Sequence, residues 1–286
     1  MQSTLKSPVS FTGIGLHTGT PVRMTIRPAP AGSGVWFRRT DVVGDQWIPA
    51  RWDAVVESAL CTRISNGSGV GVSTIEHVMA AIAGTGLSNA VIEIDGPEVP
   101  IADGSSASFV AGLMSRGLVQ QSDLVFAVKV MKPVEVTSGH GSARLEPAES
   151  MRVSFEIEFP DGAIGHQQKS LDLANGAFVR ELCDSRTFCR LADVEKMRAD
   201  GLILGGTFEN AVVIDGDRVV TPGGLRHRDE AVRHKMLDAV GDLALAGGPI
   251  LGHYRGRRAG HALTNKLIRA LFSEPEAIRL VPCGPE

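Results

Sequence analysis

Apolar and polar residues alternate in short runs through the first part of the chain. Residues 9–16, 22–27, 35–39 and 60–64 read as strands separated by Gly and Pro turns. The period lengthens near Ser73, where a helix is expected, and returns to two in a strand at 90–94. A loop rich in Gly, Pro and Asp covers 95–105, and a second helix covers 106–116. Residues 117–123 read as a linker, after which the pattern restarts with strands at 126–130, 134–137, 143–146 and 152–159. Helices are expected at 177–182 and 191–200, the latter stopped by Gly201. A hairpin turns at Gly216-Asp217. A long helix at 229–246, a strand at 249–257 and a helix at 261–272 complete the pattern. Strands followed by helices, twice over, predict an α+β fold with two domains of similar design, 1–122 and 123–286, without a strict sequence repeat.

The long helix carries the most information. Residues four apart share a face, so His234, Asp238 and Asp242 form one stripe with Lys235 at its edge. Val232, Met236, Leu237, Ala239, Val240, Leu243 and Ala244 occupy most of the remaining circumference, interrupted by Arg233. A helix so apolar is buried, and a buried imidazole with two carboxylates needs partners. A metal ion supplies one answer; an ion-pair network with Arg233 or Lys235 supplies another.

Composition narrows the function classes. The chain has 286 residues, 43% hydrophobic and 21% charged, which is ordinary for a globular protein with a sizeable core. A net charge of −3 and few aromatics give no nucleic-acid footprint. Cys61, Cys183, Cys189 and Cys283 match no metal knuckle or disulfide scaffold, which points to reduced thiols and a cytoplasmic location. No stretch approaches the ~20 apolar residues that span a bilayer, and the first residues do not form a signal peptide. Any action on a membrane lipid is therefore expected from the cytoplasmic side.

Four further groups could carry chemistry. Ser73-Thr74-Ile75-Glu76-His77 reads as a capping box in which Glu76 satisfies the Ser73 amide. That leaves His77 unexplained where the helix enters the core. His261 opens a helix after Gly260; the helix dipole disfavours its cation, whereas a carboxylate such as Asp242 would favour it. Thr187, in Ser185-Arg186-Thr187-Phe188, is an oxyanion donor or a strand-end residue. His17, in Gly15-Leu16-His17-Thr18-Gly19, by itself decorates a turn. His140, His166, His227 and His253 have no comparable setting.

Taken together these segments resemble the UDP-3-O-acyl-N-acetylglucosamine deacetylases, the zinc amidases of the committed step of lipid A synthesis. The resemblance runs through nearly the whole chain. It includes Gly13-Ile14-Gly15-Leu16-His17-Thr18-Gly19, the Glu76-His77 segment, Pro100-Ile101-Ala102-Asp103-Gly104-Ser105, Ser185 to Phe188, Gly205-Gly206, residues 232–243 and Gly260-His261-Ala262-Leu263-Thr264-Asn265-Lys266. It implies a metal held by His77, His234 and Asp238, a ligand set suited to Zn²⁺ and compatible with Fe²⁺. It implies Glu76 as general base toward the attacking water, and Thr187 and His261 as oxyanion donors. His261 would also be the general acid, oriented and kept cationic by Asp242. Lys235 would pair with the substrate diphosphate. An insert at about 188–208 would bury the acyl chain, using Leu191, Val194, Met197, Leu202, Ile203 and Leu204, with Phe188 and Gly206 also in contact. Leu16 and His17 would border it, Arg190 would interrupt its apolar wall, and Cys61 would neighbour the metal without ligating it. The implied fold packs two sheet-and-helix domains with helix layers face to face and the active site between them. The expected partner is the UDP-linked acyl amino sugar, with no nucleic acid, no stable membrane insertion and a monomeric state.

Overall fold

The computed structural model describes residues 1–283. Strand alternation builds the first sheet. Val22, Met24 and Ile26 point into the core from Pro21–Pro28, and Ala90, Ile92 and Ile94 do so from Ala90–Ile94. Five strands lie in the order Val9–Ile14, Pro21–Pro28, Ala90–Ile94, Val35–Arg39, Trp47–Pro49. Only the Ala90–Ile94 and Val35–Arg39 pair is parallel. A three-stranded sheet of Val55–Val56, Arg63–Ser65 and Gly71–Val72 adjoins it.

The second large sheet has seven strands centred on Ile250–Arg257. That strand pairs antiparallel with Gly141–Pro147 and parallel with Met151–Glu158. Its first residues pair in parallel with Val125–Val130. Val134–Ser138, His166–Asp172 and Ile278–Cys283 form the outer strands.

The described residues also form six α-helices: α1 (Glu76–Thr85), α2 (Ala107–Arg116), α3 (Ala177–Glu181), α4 (Leu191–Ala199), α5 (Glu230–Leu243) and α6 (His261–Ser273). In α5 only Arg233 and Lys235 escape burial, as the near all-round apolarity of its sequence predicts. In α1 every residue from Glu76 to Ile82 is buried. α1 packs against α2 and α5, while α5 also packs against α6 and the Met151–Glu158 strand. The helix layers of the two halves therefore meet. Gly241 permits that contact, because a Cβ there would stand 2.0 Å from the Glu76 carbonyl oxygen.

Several expectations are corrected. The 117–123 segment is not a plain linker: Leu118–Gln120 pairs antiparallel with Ser3–Leu5. The strand expected at 60–64 starts later, at Arg63, because Leu60 adopts φ 62°, outside strand geometry. His166–Asp172 escapes the hydrophobic pattern because its half-buried and exposed positions alternate on an outer strand. Phe188–Arg190 is too short to show a period.

Candidate metal centre and active site

α5 presents His234 and Asp238 one turn apart, and the buried start of α1 brings His77 to meet them. One ligand atom from each of the three lies within 4.8 Å of the other two. His234 Nε2 stands 3.3 Å from Asp238 Oδ1, and His77 Nε2 stands 3.6 Å from it. His234 Nδ1–H donates to the Ser185 carbonyl at 3.0 Å, which leaves Nε2 with a lone pair facing the cluster. The Lys235 ammonium donates to Asp238 Oδ2 at 2.7 Å. Asp238 Oδ1 is buried without a hydrogen-bond partner among the described residues.

An orphaned carboxylate oxygen between two imidazole nitrogens is costly unless something occupies the space. Burial, reinforced by His77 and Lys235, lowers His234 to about 4, so its ring is neutral and able to ligate. Burial opposes ionisation of Asp238, but His234, Lys235 and His261 outweigh it and hold the carboxyl well below its usual range. The donor set fits a divalent cation, and Asp238 Oδ1 is the carboxylate oxygen left free, since Lys235 takes Oδ2. Of the ion pairs open to the α5 stripe, Lys235 does pair with Asp238, while Arg233 turns away to Asp229 and Glu181.

Glu76 and His261 flank this cluster, with Glu76 Oε1 and His261 Nε2 3.8 Å apart. The capping box is not formed. Ile75 takes the cap position without a side-chain bond, and Glu76 Oε2 accepts from the Thr62 amide at 3.0 Å. Ser73 instead donates its hydroxyl to the Pro97 carbonyl. Burial raises the Glu76 pKa against the pull of His261 and His77. His261 Nδ1–H donates to Asp242 Oδ2 at 2.9 Å. Burial lowers the His261 pKa, but Asp242, Glu76 and Asp238 together lift it to about 9, so the carboxylates prevail over the helix dipole. Asp242 stands outside the set of possible metal ligands.

Thr62 and Asn265 were not singled out by the sequence. The Thr62 amide holds Glu76, its hydroxyl donates to Asp242, and Asn265 Nδ2 donates to that hydroxyl at 3.2 Å. Both fall inside expected elements, a strand at 60–64 and a helix at 261–272, but neither is of a residue type that by itself points to a metal or acid–base role. Cys61 is next door; burial pushes its thiol to about 11, and it is not among the possible ligands.

All three members of the trio face a cavity of about 790 Å³, together with Glu76, Thr187, Lys235 and His261. Leu16, His17, Phe188, Leu191, Val194, Met197, Ile203 and Gly206 also line it. Of the apolar residues expected there, Leu204 is 55% exposed and Leu202 lines a neighbouring cavity instead. Gly205 allows the 201–206 segment to lie on the first half of the chain, since a Cβ there would be 2.3 Å from the Gly15 carbonyl. Arg186 is buried against Glu230 at 2.8 Å and anchors the segment that supplies both Ser185 and Thr187.

Two imidazole nitrogens and one carboxylate oxygen, which could hold a metal ion, open on a cavity, a donor set of the kind catalytic metal centres use, here carried by a two-domain α+β fold. The chain belongs to the UDP-3-O-acyl N-acetylglycosamine deacetylase family (LpxC), whose model matches residues 2–273. A UDP-3-O-acyl-N-acetylglucosamine deacetylase of Phenylobacterium zucineum (strain HLK1) is 49% identical over 280 residues, covering 98% of this chain and 96% of that protein. Proteins of the same name from Shewanella frigidimarina (strain NCIMB 400) and Shewanella loihica (strain ATCC BAA-1088 / PV-4) are 45% and 46% identical. Their alignments cover 100% and 98% of this chain, and 94% and 92% of theirs. Among the described residues no helix is long and apolar enough to cross a membrane.

Proposed function

We propose that this protein hydrolyses the acetamide of UDP-3-O-acyl-N-acetylglucosamine, giving UDP-3-O-acyl-glucosamine and acetate, in lipid A synthesis on the cytoplasmic side. The family membership supports the substrate. The observation that carries the chemistry is the unpartnered Asp238 Oδ1 between His77 and His234, with Glu76 and His261 alongside.

His77, His234 and Asp238 would hold the metal, Zn²⁺ or Fe²⁺; when bound, it supplies Lewis-acid polarisation of the amide carbonyl and acidifies water. Glu76 takes the proton of the attacking water, and burial makes it a stronger base than an exposed glutamate. Thr187 and the His261 cation donate to the oxygen that gains negative charge. His261 then gives its Nε2 proton to the departing amine. Asp242 holds the ring through Nδ1 and keeps it cationic. Lys235 exchanges part of its contact with Asp238 for the substrate diphosphate. The apolar side of the cavity, from Phe188 through Val194 and Met197 to Ile203, takes the acyl chain, with Leu16, His17 and Gly206 at its border.

Turnover of UDP-3-O-acyl-GlcNAc should greatly exceed that of UDP-GlcNAc, measured as free amine released, in protein carrying a stoichiometric divalent ion. Preference for the unacylated sugar would refute the substrate assignment. Absence of stoichiometric metal from active protein purified without chelator would refute the mechanism.

A further inference from the structure

The wall of the large cavity carries a cation in its apolar stretch. The Phe188–Arg190 strand starts beside the catalytic cluster, where the Phe188 ring stands 6.3 Å from that of His234. Alternate residues of a strand share a face and lie about 7 Å apart. Arg190 is therefore the next residue on the Phe188 face, and it lines the same cavity as Val194, Met197 and Ile203. Its guanidinium is tethered: Nε donates to Asp161, whose side chain is 8% exposed, and Nη1 lies 3.4 Å from Asp193 Oδ2. The Arg190 side chain is 31% exposed, and moving its guanidinium off the wall would leave the buried Asp161 carboxylate unpaired.

We propose that Arg190 is a specificity-determining residue that marks the far limit of the acyl passage, so that the protein selects its substrate by acyl-chain length. The inference rests on the deacetylase reading above. Methylenes that pack on Phe188, Val194 and Met197 leave water for an apolar wall, each gaining about fourfold in binding. Methylenes that reach Arg190 must strip water from a fixed ion pair and give it no hydrogen bond in return. The gain per methylene should end there.

The experiment measures kcat/KM for UDP-3-O-acyl-GlcNAc substrates whose saturated chains lengthen two carbons at a time. Wild type should rise and then stop rising at a defined length. Arg190→Leu, normalised to its own activity on the shortest chain, should keep rising past that length, by about tenfold or more over the next two carbons. Arg190→Lys, which keeps the charge, should retain the wild-type limit. If Arg190→Leu proves unfolded by thermal melting, Asp161→Asn removes the buried tether, leaving only the 3.4 Å contact with Asp193, and should also relax the limit. The same cut-off in wild type and in a folded Arg190→Leu, or in Asp161→Asn if Arg190→Leu is unfolded, overturns the assignment. Amine release from no chain length would instead overturn the deacetylase reading, and this inference with it.

Discussion

Thr62 holds two carboxylates at once, one through its amide and one through its hydroxyl. Its partners lie 14 and 180 residues away, so no local pattern could reveal it. The His234, Lys235, Asp238 and Asp242 set was legible because helical spacing places these residues together before any tertiary contact exists. In the proposed mechanism Glu76 is the base and Asp242 holds the acid, His261, and two substitutions separate their roles. Glu76→Ala should retain stoichiometric metal, measured by atomic emission, while turnover falls about 10²–10⁴-fold; loss of the metal would make Glu76 a ligand. Asp242→Asn removes the largest influence raising the His261 pKa. Because the proposed mechanism needs the His261 cation, activity should fall as pH rises through its pKa, and a lower pKa should bring that fall to lower pH. A pH–rate profile with an unmoved alkaline limb would remove Asp242 from this role.

At the level of elements, α1 and α5 touch through a glycine. Gly241→Ala places a methyl group on the Glu76 carbonyl, and the helices must part. Stability should fall by about 1–3 kcal/mol in denaturant titration, with turnover falling further because Glu76 moves too. Arg186 and Glu230 set the start of α5 against the segment carrying Ser185 and Thr187. Burial raises the Glu230 pKa, but the Arg186 guanidinium and the Arg186 and Arg226 amides outweigh it and hold the carboxyl below its ordinary value. That contribution is complete above about pH 4.3, the unfolded value, and disappears as pH falls through the lower folded value. Glu230→Gln should cost on the order of 3 kcal/mol at neutral pH and flatten the acid limb of the stability curve; identical acid slopes would contradict this. The long helices were readable because a 3.6-residue period persists over several turns. The outer strand His166–Asp172 and the pairing of Leu118–Gln120 with Ser3–Leu5 were not, because partners remote in sequence create them.

On the scale of the whole molecule, the proposed metal joins the halves: His77 comes from the first, His234 and Asp238 from the second. Chelation should lower the melting temperature as well as abolish turnover. An ion at 100 times its dissociation constant stabilises by about 2.7 kcal/mol, which calorimetry resolves. An unchanged melt after verified metal removal would mean that the ion does not bridge the halves. The sequence by itself determined the two rounds of strand and helix, the burial of α5 and the identity of the residues along its polar stripe. Each of these is written in local periodicity, which depends only on how far apart residues lie on a helix or strand. Tertiary structure decided which stripe residues could meet His77, which carboxylate took the His261 proton bond, and that Glu76 faces Thr62 rather than capping its own helix. Those outcomes depend on how closely two helix layers approach, and Gly241 permits that approach only once both layers are assembled.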